Sequence, residues 1–256
     1  MLAVLLALSA SAAALEPSTA LRRRSLLGLG ASALVAPVLG TVAPAVAVID
    51  EAVDVYFGCG CFWHVQHEFV EAERKLLGRD GKALTARAGY AGGKGGAGEG
   101  GSVCYHNVAR KNDYGKLGHS EIVALDGVPT NKFGKVAEEY FKLFTADGSR
   151  PDQFGDRGGE YRNVVGIPGG KNSPLYKDLL EACLAQGDKV DFAAGKGSDA
   201  DVKAVVWIMD STKFPAFRAE NYHQFHDGFA QGENYPNSYN DLGKTLDLED
   251  TACPYF

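Results

Sequence analysis

The apolar positions after residue 52 recur at spacings that distinguish strands from helices. Residues 53–57 and 119–125 are short apolar or alternating runs, which are typical of strands. A run of helical periodicity follows the first of them, and Gly78 predicts where that helix ends. The residues expected near one face of this helix are Phe62, Val65, Phe69 and Leu76.

Three further segments complete the predicted core. Residues 131–144 have apolar and aromatic side chains at helical spacing. Ser173 and Pro174 are typical of the start of a helix, which Gly187 ends, and the apolar run over 202–209 predicts a buried strand. This order of elements predicts an α+β fold, a single domain in which a mixed sheet is backed by helices.

The first 48 residues predict a targeting segment that precedes the fold. An apolar stretch over 1–15 is followed by arginines at 22–24 and by an uncharged run over 25–48 that ends on small residues. Paired arginines before such a run are typical of twin-arginine export, and two successive signals predict a plastid protein delivered to the thylakoid lumen. The alternatives are secretion or a membrane anchor, because the second run is long enough to span a bilayer.

Composition excludes some classes of protein. The 256 residues are 45% apolar, enough to bury one sizeable core, and their formal net charge of -6 gives no basic surface for nucleic acid or an acidic membrane. Five cysteines are too few and too irregularly spaced for a disulfide framework in a chain of this size. The odd number leaves at least one free thiol, which suits reactive chemistry.

Cys61 lies where the predicted first strand gives way to the first helix, after the glycines at 58 and 60. Backbone N–H groups and the dipole at a helix start stabilise a thiolate, so we expect a lowered pKa for Cys61 and a nucleophilic sulfur. Phe62 and Trp63 could form an apolar slot beside it for a methyl or thioether group. The alternative is an inert cysteine buried in a strand-to-helix turn.

A metal site is a second alternative. The side chains that could hold the ion are Cys59, Cys61, His64 and His67, with a further histidine pair at His223 and His226. Two cysteines separated by one residue make poor tetrahedral geometry, because structural zinc sites space them by two to four residues. We therefore expect no metal and no organic cofactor.

The segment Gly60-Cys61-Phe62-Trp63 resembles the signature of class A peptide methionine sulfoxide reductases. Further segments follow in the order that the family shows, between about Tyr56 and His226. They are Gly89-Tyr90-x-Gly92-Gly93, Tyr105, Gly118-His119-Ser120-Glu121, Asp156-Arg157-Gly158-x-x-Tyr161-Arg162 and Ala219-Glu220-x-Tyr222-His223-Gln224.

The resemblance implies a ferredoxin-like core and a role for each matched residue. Cys61 matches the nucleophile, and Phe62 and Trp63 match the methyl-binding slot. A sulfoxide sulfur is a weak electrophile until its oxygen is protonated, so an acid must lie beside that oxygen. Glu121 matches this acid, and burial must raise its pKa for it to donate near neutral pH. The remaining matches are Tyr105 and Tyr161, the phenols that hold the oxygen, and Asp156, a buried carboxylate that orders water or its neighbours.

The attacked Cys61 becomes a sulfenic acid, which a second thiol must reduce. Many family members use cysteines near the C-terminus that are reloaded by thioredoxin. Cys253 is the first choice for this resolving thiol and Cys104, next to Tyr105, is the second. Cys59 is too close in sequence to Cys61, and Cys183 has the spacing of a core residue. The chain departs from the family at His64 and in an apparent insertion over 109–117.

The sequence therefore predicts a peptide-methionine (S)-S-oxide reductase, a repair enzyme of the oxidative stress response. It comprises a leader over 1–48, a reductase domain over 49–230 and a C-terminal tail over 231–256. The expected partners are free or peptide-bound methionine sulfoxide and a thioredoxin-like donor. The protein itself is expected to be a monomer that has no stable membrane association once the leader is removed. The alternatives are a thiol peroxidase that uses Cys61 and a non-enzymatic metal-binding protein.

Overall fold

The computed structural model describes residues 51–150, 155–226 and 235–254. The predicted leader over 1–48 lies outside these residues and stays a prediction, as do the domain boundaries. Seven strands form one sheet in the order β5-β6-β4-β1-β3-β2-β7. The strands are β1 (Ala52–Gly58), β2 (Arg87–Ala91), β3 (Ser120–Pro129), β4 (Val164–Ile167), β5 (Asp191–Ala194), β6 (Val205–Asp210) and β7 (Phe217–Arg218).

The helices in the described part of the chain are three long ones and two single turns near the C-terminus. They are α1 (Phe62–Ala72), α2 (Thr130–Lys142), α3 (Leu175–Ala185), α4 (Asn237–Asn240) and α5 (Leu242–Thr245). A π-helical turn, Glu73–Leu77, continues α1 and ends at Gly78, whose left-handed backbone (φ 64°) breaks the helix as predicted. No helix within these described ranges is long and apolar enough to cross a membrane.

The centre of the sheet has the ferredoxin-like arrangement that the sequence resemblance implies. The chain runs β1-α1-β2-β3-α2-β4, and the four strands lie in the order β4-β1-β3-β2. All three pairings among them are antiparallel. β6 and β5 add to the β4 edge by parallel pairing, and β7 adds to the other edge beside β2. The predicted α+β class with a mixed sheet is therefore confirmed.

The core forms between the sheet and the apolar faces of α1 and α2. Phe57 on β1 stacks on Phe69 of α1, with ring centroids 4.7 Å apart, and lies 5.3 Å from the ring of Tyr140 on α2. Both contacts follow from the helical spacing of the sequence, because residues on one face of a helix meet the same face of the sheet. Leu76, expected on this face, is only partly buried.

A buried carboxylate connects the end of α1 to the approach to β2. Glu73 is 1% exposed and accepts hydrogen bonds from the Arg79 guanidinium (2.7 Å) and from the backbone N–H groups of Thr85 and Ala86 (both 2.8 Å). The Thr85 hydroxyl donates a further bond of 2.6 Å. A buried charge with four donors is well compensated, so Glu73 fixes the path of the chain between these elements.

The described part of the predicted tail, residues 235–254, packs against the domain. Tyr239 and Leu242, from α4 and α5, are buried in the main core. Tyr235 stacks on His67 of α1 with the ring centroids 3.7 Å apart. The tail therefore brings Cys253 to a defined position, which is described below with the candidate site.

Candidate active site

Cys61 follows β1 and occupies the N-cap position of α1, so its sulfur lies at the start of the helix as predicted. The chain is held on both sides of it. The Tyr140 hydroxyl donates to the carbonyl of Gly58 (2.9 Å), and the N–H of Gly60 donates to the carbonyl of Tyr161 (3.1 Å). The second bond fixes the Cys61 turn beside the segment that carries Asp156 and Tyr161.

Glu121 lies on β3 next to this helix start. Its Oε2 accepts a hydrogen bond of 2.9 Å from the backbone N–H of Phe62. Burial raises the pKa of Glu121 to about 8, opposed by the Phe62 N–H and assisted by the charge of Asp156. Glu121 is therefore mostly a neutral acid at pH 7, as a proton donor at this position must be.

The expected lowering of the Cys61 pKa is wrong. Burial raises the pKa of the Cys61 thiol well above its ordinary value, and the charges of Glu121 and Asp156 add to the increase. The N–H groups of Trp63 and His64 act in the predicted direction but do not outweigh burial. The sequence pattern correctly predicts the helix start but not how deeply Cys61 is buried.

The phenols of Tyr105, Tyr161 and Tyr114 surround the Cys61 and Glu121 pair. Burial raises the pKa of Tyr105 to about 12, with Glu121 and Cys61 as the next causes. Burial also raises the pKa of Tyr161, which makes a hydrogen bond with Tyr114. Both predicted phenols therefore keep their protons at neutral pH and can donate to a developing oxyanion.

Tyr114 is a site residue that the sequence analysis does not identify. It is fully buried, its Oη lies 3.5 Å from Oε1 of Glu121, and its ring stacks on those of Tyr90 and Tyr105 at 4.6 and 5.7 Å. Tyr114 belongs to the apparent insertion over 109–117. Its aromatic character among charged and small residues was the available signal, and this segment contributes directly to the surroundings of Glu121.

Asp156 is half-buried, less than its matched role implies, although one of its carboxylate oxygens is fully enclosed. Its charge raises the pKa values of Cys61, Tyr105 and Tyr161, so Asp156 acts on the site through its charge.

Arg162, almost fully buried, donates to the carbonyls of Gly92 (2.9 Å) and Gly118 (3.1 Å) and so ties neighbouring loops together.

Phe62 and Trp63 join an aromatic cluster with the segment after β7. Phe62 is buried and its ring centroid is 5.1 Å from that of His223. Trp63 is partly exposed and packs on His226 at 3.9 Å. Burial lowers the pKa of His223 to about 3, so this ring is neutral and contributes an apolar surface. The arrangement suits a methyl or thioether group beside Trp63.

Cys104 and Cys253, the two candidate resolving thiols, are joined to each other in a disulfide, with Cα atoms 5.7 Å apart. Glu220 lies beside this disulfide. Its Oε1 accepts from the backbone N–H of Tyr105 (2.7 Å), and its Oε2 accepts from the hydroxyl of Tyr90 (2.8 Å). The disulfide therefore adjoins the Tyr105 side of the site. Cys59 and Cys183 are buried and take no part in this disulfide, and Cys183 is in the core as expected.

The cysteine and histidine residues considered for a metal site do not form a ligand cluster. His64 contacts the Tyr235 hydroxyl (3.3 Å), and His67 contacts the Glu68 carboxylate (2.9 Å). In residues 51–150, 155–226 and 235–254, the group with three possible ligand atoms within 4.8 Å of one another is Cys104, Glu220 and Cys253. Its two sulfurs are bonded together, so they are not available as thiolates.

No protein-family model matches the chain, and no curated protein sequence does. Solved structures that are similar to it include one bacterial protein named as a methionine sulfoxide reductase and one yeast protein named Mxr1. Methionine sulfoxide reductase A of Corynebacterium diphtheriae is 22% identical with a TM-score of 0.41, over 68% of this chain and 73% of that chain. Mxr1 from Saccharomyces cerevisiae in reduced form is 22% identical with a TM-score of 0.45, over 73% and 90%. At these low TM-scores, neither the fold nor the activity of this chain follows from the likeness.

Proposed function

We propose that this protein is a thiol-dependent reductase of methionine S-sulfoxide, free or in proteins, with Cys61 as nucleophile and Glu121 as acid. The observation that carries the proposal is the fixed pair at the start of α1. The Phe62 N–H holds the Glu121 carboxyl next to the Cys61 turn, and burial raises the pKa of this carboxyl to about 8, so that it is mostly protonated at pH 7. A protonated acid beside a thiol is what sulfoxide reduction requires.

In the first step Cys61 gives up its thiol proton to water, its sulfur attacks the sulfoxide sulfur, and Glu121 donates its proton to the sulfoxide oxygen. Tyr105 and Tyr161 donate hydrogen bonds to this oxygen as charge develops on it. The bond formed between the two sulfurs and the S–O bond of the substrate break as the OH passes to the Cys61 sulfur, and the products are the thioether and a Cys61 sulfenic acid. Phe62 and Trp63 receive the methyl group. The S-epimer preference rests on the sequence resemblance alone.

In the second step one thiol of the reduced Cys104 and Cys253 pair attacks the sulfenic acid, which releases water and leaves a disulfide to Cys61. The other thiol of the pair then displaces Cys61 and forms the Cys104–Cys253 disulfide. The disulfide observed between these residues, beside the Tyr105 side of the site, supports this order. A thioredoxin-like dithiol would return the pair to the reduced state.

Chemical trapping tests this proposal against a peroxidase. In the full chain with Cys104→Ser and Cys253→Ser, one equivalent of N-acetyl methionine sulfoxide should yield one methionine derivative and a dimedone adduct at Cys61, located by mass spectrometry. Adding Glu121→Gln should slow this step by about 100-fold or more. The same substitution should change the rate at which hydrogen peroxide oxidises Cys61 far less, because that reaction has no sulfoxide oxygen to protonate.

The matched control is Glu181→Gln, which changes an exposed carboxyl on α3 and should leave both rates unaffected. If Cys61 reacts with hydrogen peroxide but not with the sulfoxide, the protein is a thiol peroxidase and not the proposed reductase. A sulfoxide reaction that occurs equally well after Glu121→Gln would remove Glu121 from the mechanism.

A further inference from the structure

Glu121 has to regain a proton after every turnover, yet it is only 2% exposed. We infer that His106, Glu160 and Tyr114 form a proton path from solvent to Glu121. The inference rests on the proposed reductase for its purpose. The path itself is a property of the hydrogen-bonded groups and is measurable without turnover.

The four side chains form an unbroken series of polar contacts. Nε2 of His106 lies 3.1 Å from Oε2 of Glu160, and the same oxygen lies 3.4 Å from Oη of Tyr114. Oη of Tyr114 lies 3.5 Å from Oε1 of Glu121. The two phenol contacts are longer than an ordinary O–H···O hydrogen bond, so small side-chain movements must shorten them before a proton passes.

Exposure falls along the series from the surface to the acid. The side chains of His106 and Glu160 are 44% and 35% exposed, whereas Tyr114 is 0% exposed. The outer pair can therefore exchange protons with water or buffer, and the phenol links it to the enclosed carboxyl. The other oxygen of Glu121 is occupied by the Phe62 N–H, which leaves Oε1 to receive the proton.

The contacts of His106 within the outer pair favour its protonated form. Nδ1 of His106 lies 3.0 Å from the Asp113 carboxylate, which is itself nearly buried. Burial lowers the pKa of His106, but the hydrogen bond to Asp113 and the charge of Glu160 outweigh it, so the net shift is upward. The Glu160 carboxyl lies against Gly115, where an added Cβ would meet its Oε1 and displace the carboxyl.

Proton transfer along the path does not require Tyr114 to become charged. A solvent proton is taken up by the His106 and Glu160 pair and moves from Oε2 of Glu160 to Oη of Tyr114, while the proton of Tyr114 moves to Oε1 of Glu121. The phenol ends as it began, which is necessary because burial raises its pKa far above neutral and prevents its ionisation. The net change is protonation of Glu121 by solvent.

Several groups outside the path also influence the titration of Glu121. They face it from the start of α1, from the loop before β3 and from the segment before β4, and they are Cys61, Tyr105, Asp156 and Tyr161. The experiment must therefore separate the rate of protonation from the equilibrium pKa.

A pH jump followed by infrared spectroscopy makes this separation. The full-length protein is moved from about pH 10 to about pH 6, across the pKa of Glu121, and growth of the protonated carboxyl band is recorded. Glu121→Gln identifies the band by removing it. We expect His106→Gln and Glu160→Gln to slow its growth at least about tenfold at low buffer concentration, and imidazole to restore the rate in proportion to its concentration.

Glu99→Gln, which removes an exposed carboxyl from the same loop region, is the matched control and should keep the wild-type rate. The path is refuted if both variants protonate Glu121 at the wild-type rate. It is also refuted if they are equally slow at every imidazole concentration, since that would indicate a structural change. Absence of sulfoxide turnover would refute the proposed function, but the proton path could still be tested by this infrared measurement, which needs no turnover.

Discussion

The backbone N–H of Phe62 donates a hydrogen bond of 2.9 Å to Oε2 of Glu121 and joins the residue after the proposed nucleophile to the proposed acid. The bond connects the first residue of α1 with β3 in the centre of the sheet. The relative position of the nucleophile and the acid is therefore set by the main secondary structure. Changes at Glu121 should affect the stability of the protein as well as its chemistry.

The first prediction concerns stability and pH. Burial raises the pKa of Glu121 from 4.5 to about 8, so between these values the unfolded chain ionises this group and the folded protein does not. The contribution of Glu121 to the free energy of unfolding should fall as pH rises through this window, by roughly 5 kcal/mol, and change little above it. Glu121→Gln should remove this slope, measured as denaturant midpoints from about pH 4 to pH 9.

The exposed Glu181→Gln variant serves as the control and should keep the wild-type slope. If Glu121→Gln follows the wild-type pH dependence throughout, Glu121 is ionised in the folded protein and is not the acid.

The second prediction concerns the Cys61 thiol. Burial and the charges of Glu121 and Asp156 raise its pKa, so Cys61 should react slowly with iodoacetamide at pH 7 and faster as pH rises above 9. Glu121→Gln should shift this profile to lower pH because it removes a negative charge. Peptide mapping by mass spectrometry separates Cys61 from the other cysteines. Rapid alkylation at about pH 6 in the wild type would instead indicate the stabilised thiolate that the helix start alone predicts.

The third prediction concerns Glu73. Its carboxylate satisfies two backbone N–H groups, a hydroxyl and a guanidinium in a buried position. Glu73→Ala should lower the free energy of unfolding by about 3–5 kcal/mol, because it leaves the buried donors and Arg79 without their acceptor. Glu71→Ala, which removes an exposed carboxyl two residues earlier, should cost less than about 1 kcal/mol. Equal losses in the two variants would show that the Glu73 contacts do not stabilise the fold.

The fourth prediction concerns the disulfide between Cys104 and Cys253, which closes a loop of 149 residues. Reduction should lower the denaturant midpoint by an amount equivalent to as much as about 4 kcal/mol, since it restores chain entropy to the unfolded state. Cys253→Ser should have the lower midpoint with or without dithiothreitol. A wild-type midpoint that does not respond to dithiothreitol would mean that the disulfide is not formed in solution or does not constrain the chain.

The long periodic segments made the central fold predictable. Helical spacing correctly places Phe69 and Tyr140 on the faces that pack on Phe57, and Gly78 correctly marks the end of the first helix. The strands β2, β4, β5 and β7 are not predicted from the sequence. These strands are short, and β2 contains Gly89, where the backbone of Phe217 approaches so closely that a Cβ would collide with it. Such strands depend on their neighbours rather than on their own sequence pattern.

Residues of the candidate site were predictable where they stand in a recognisable motif. Properties of these residues that depend on burial were not predictable. The GHSE segment singles out Glu121, but only its position on a central strand explains the raised pKa. The glycines before α1 locate Cys61, but the pattern does not reveal how strongly desolvation opposes the helix start. Tyr114 and Glu160 become connected to Glu121 only when loops distant in sequence come together.

The most direct test of the central claim is turnover of separated sulfoxide epimers. The purified protein is given dithiothreitol and either the S or the R epimer of N-acetyl methionine sulfoxide, and the thioether product is measured, with Cys61→Ser in parallel. The account predicts product from the S-epimer alone and none from the variant. No product from either epimer, with the protein folded and Cys61 reduced, would contradict the claim that Cys61 and Glu121 form a methionine sulfoxide reductase site.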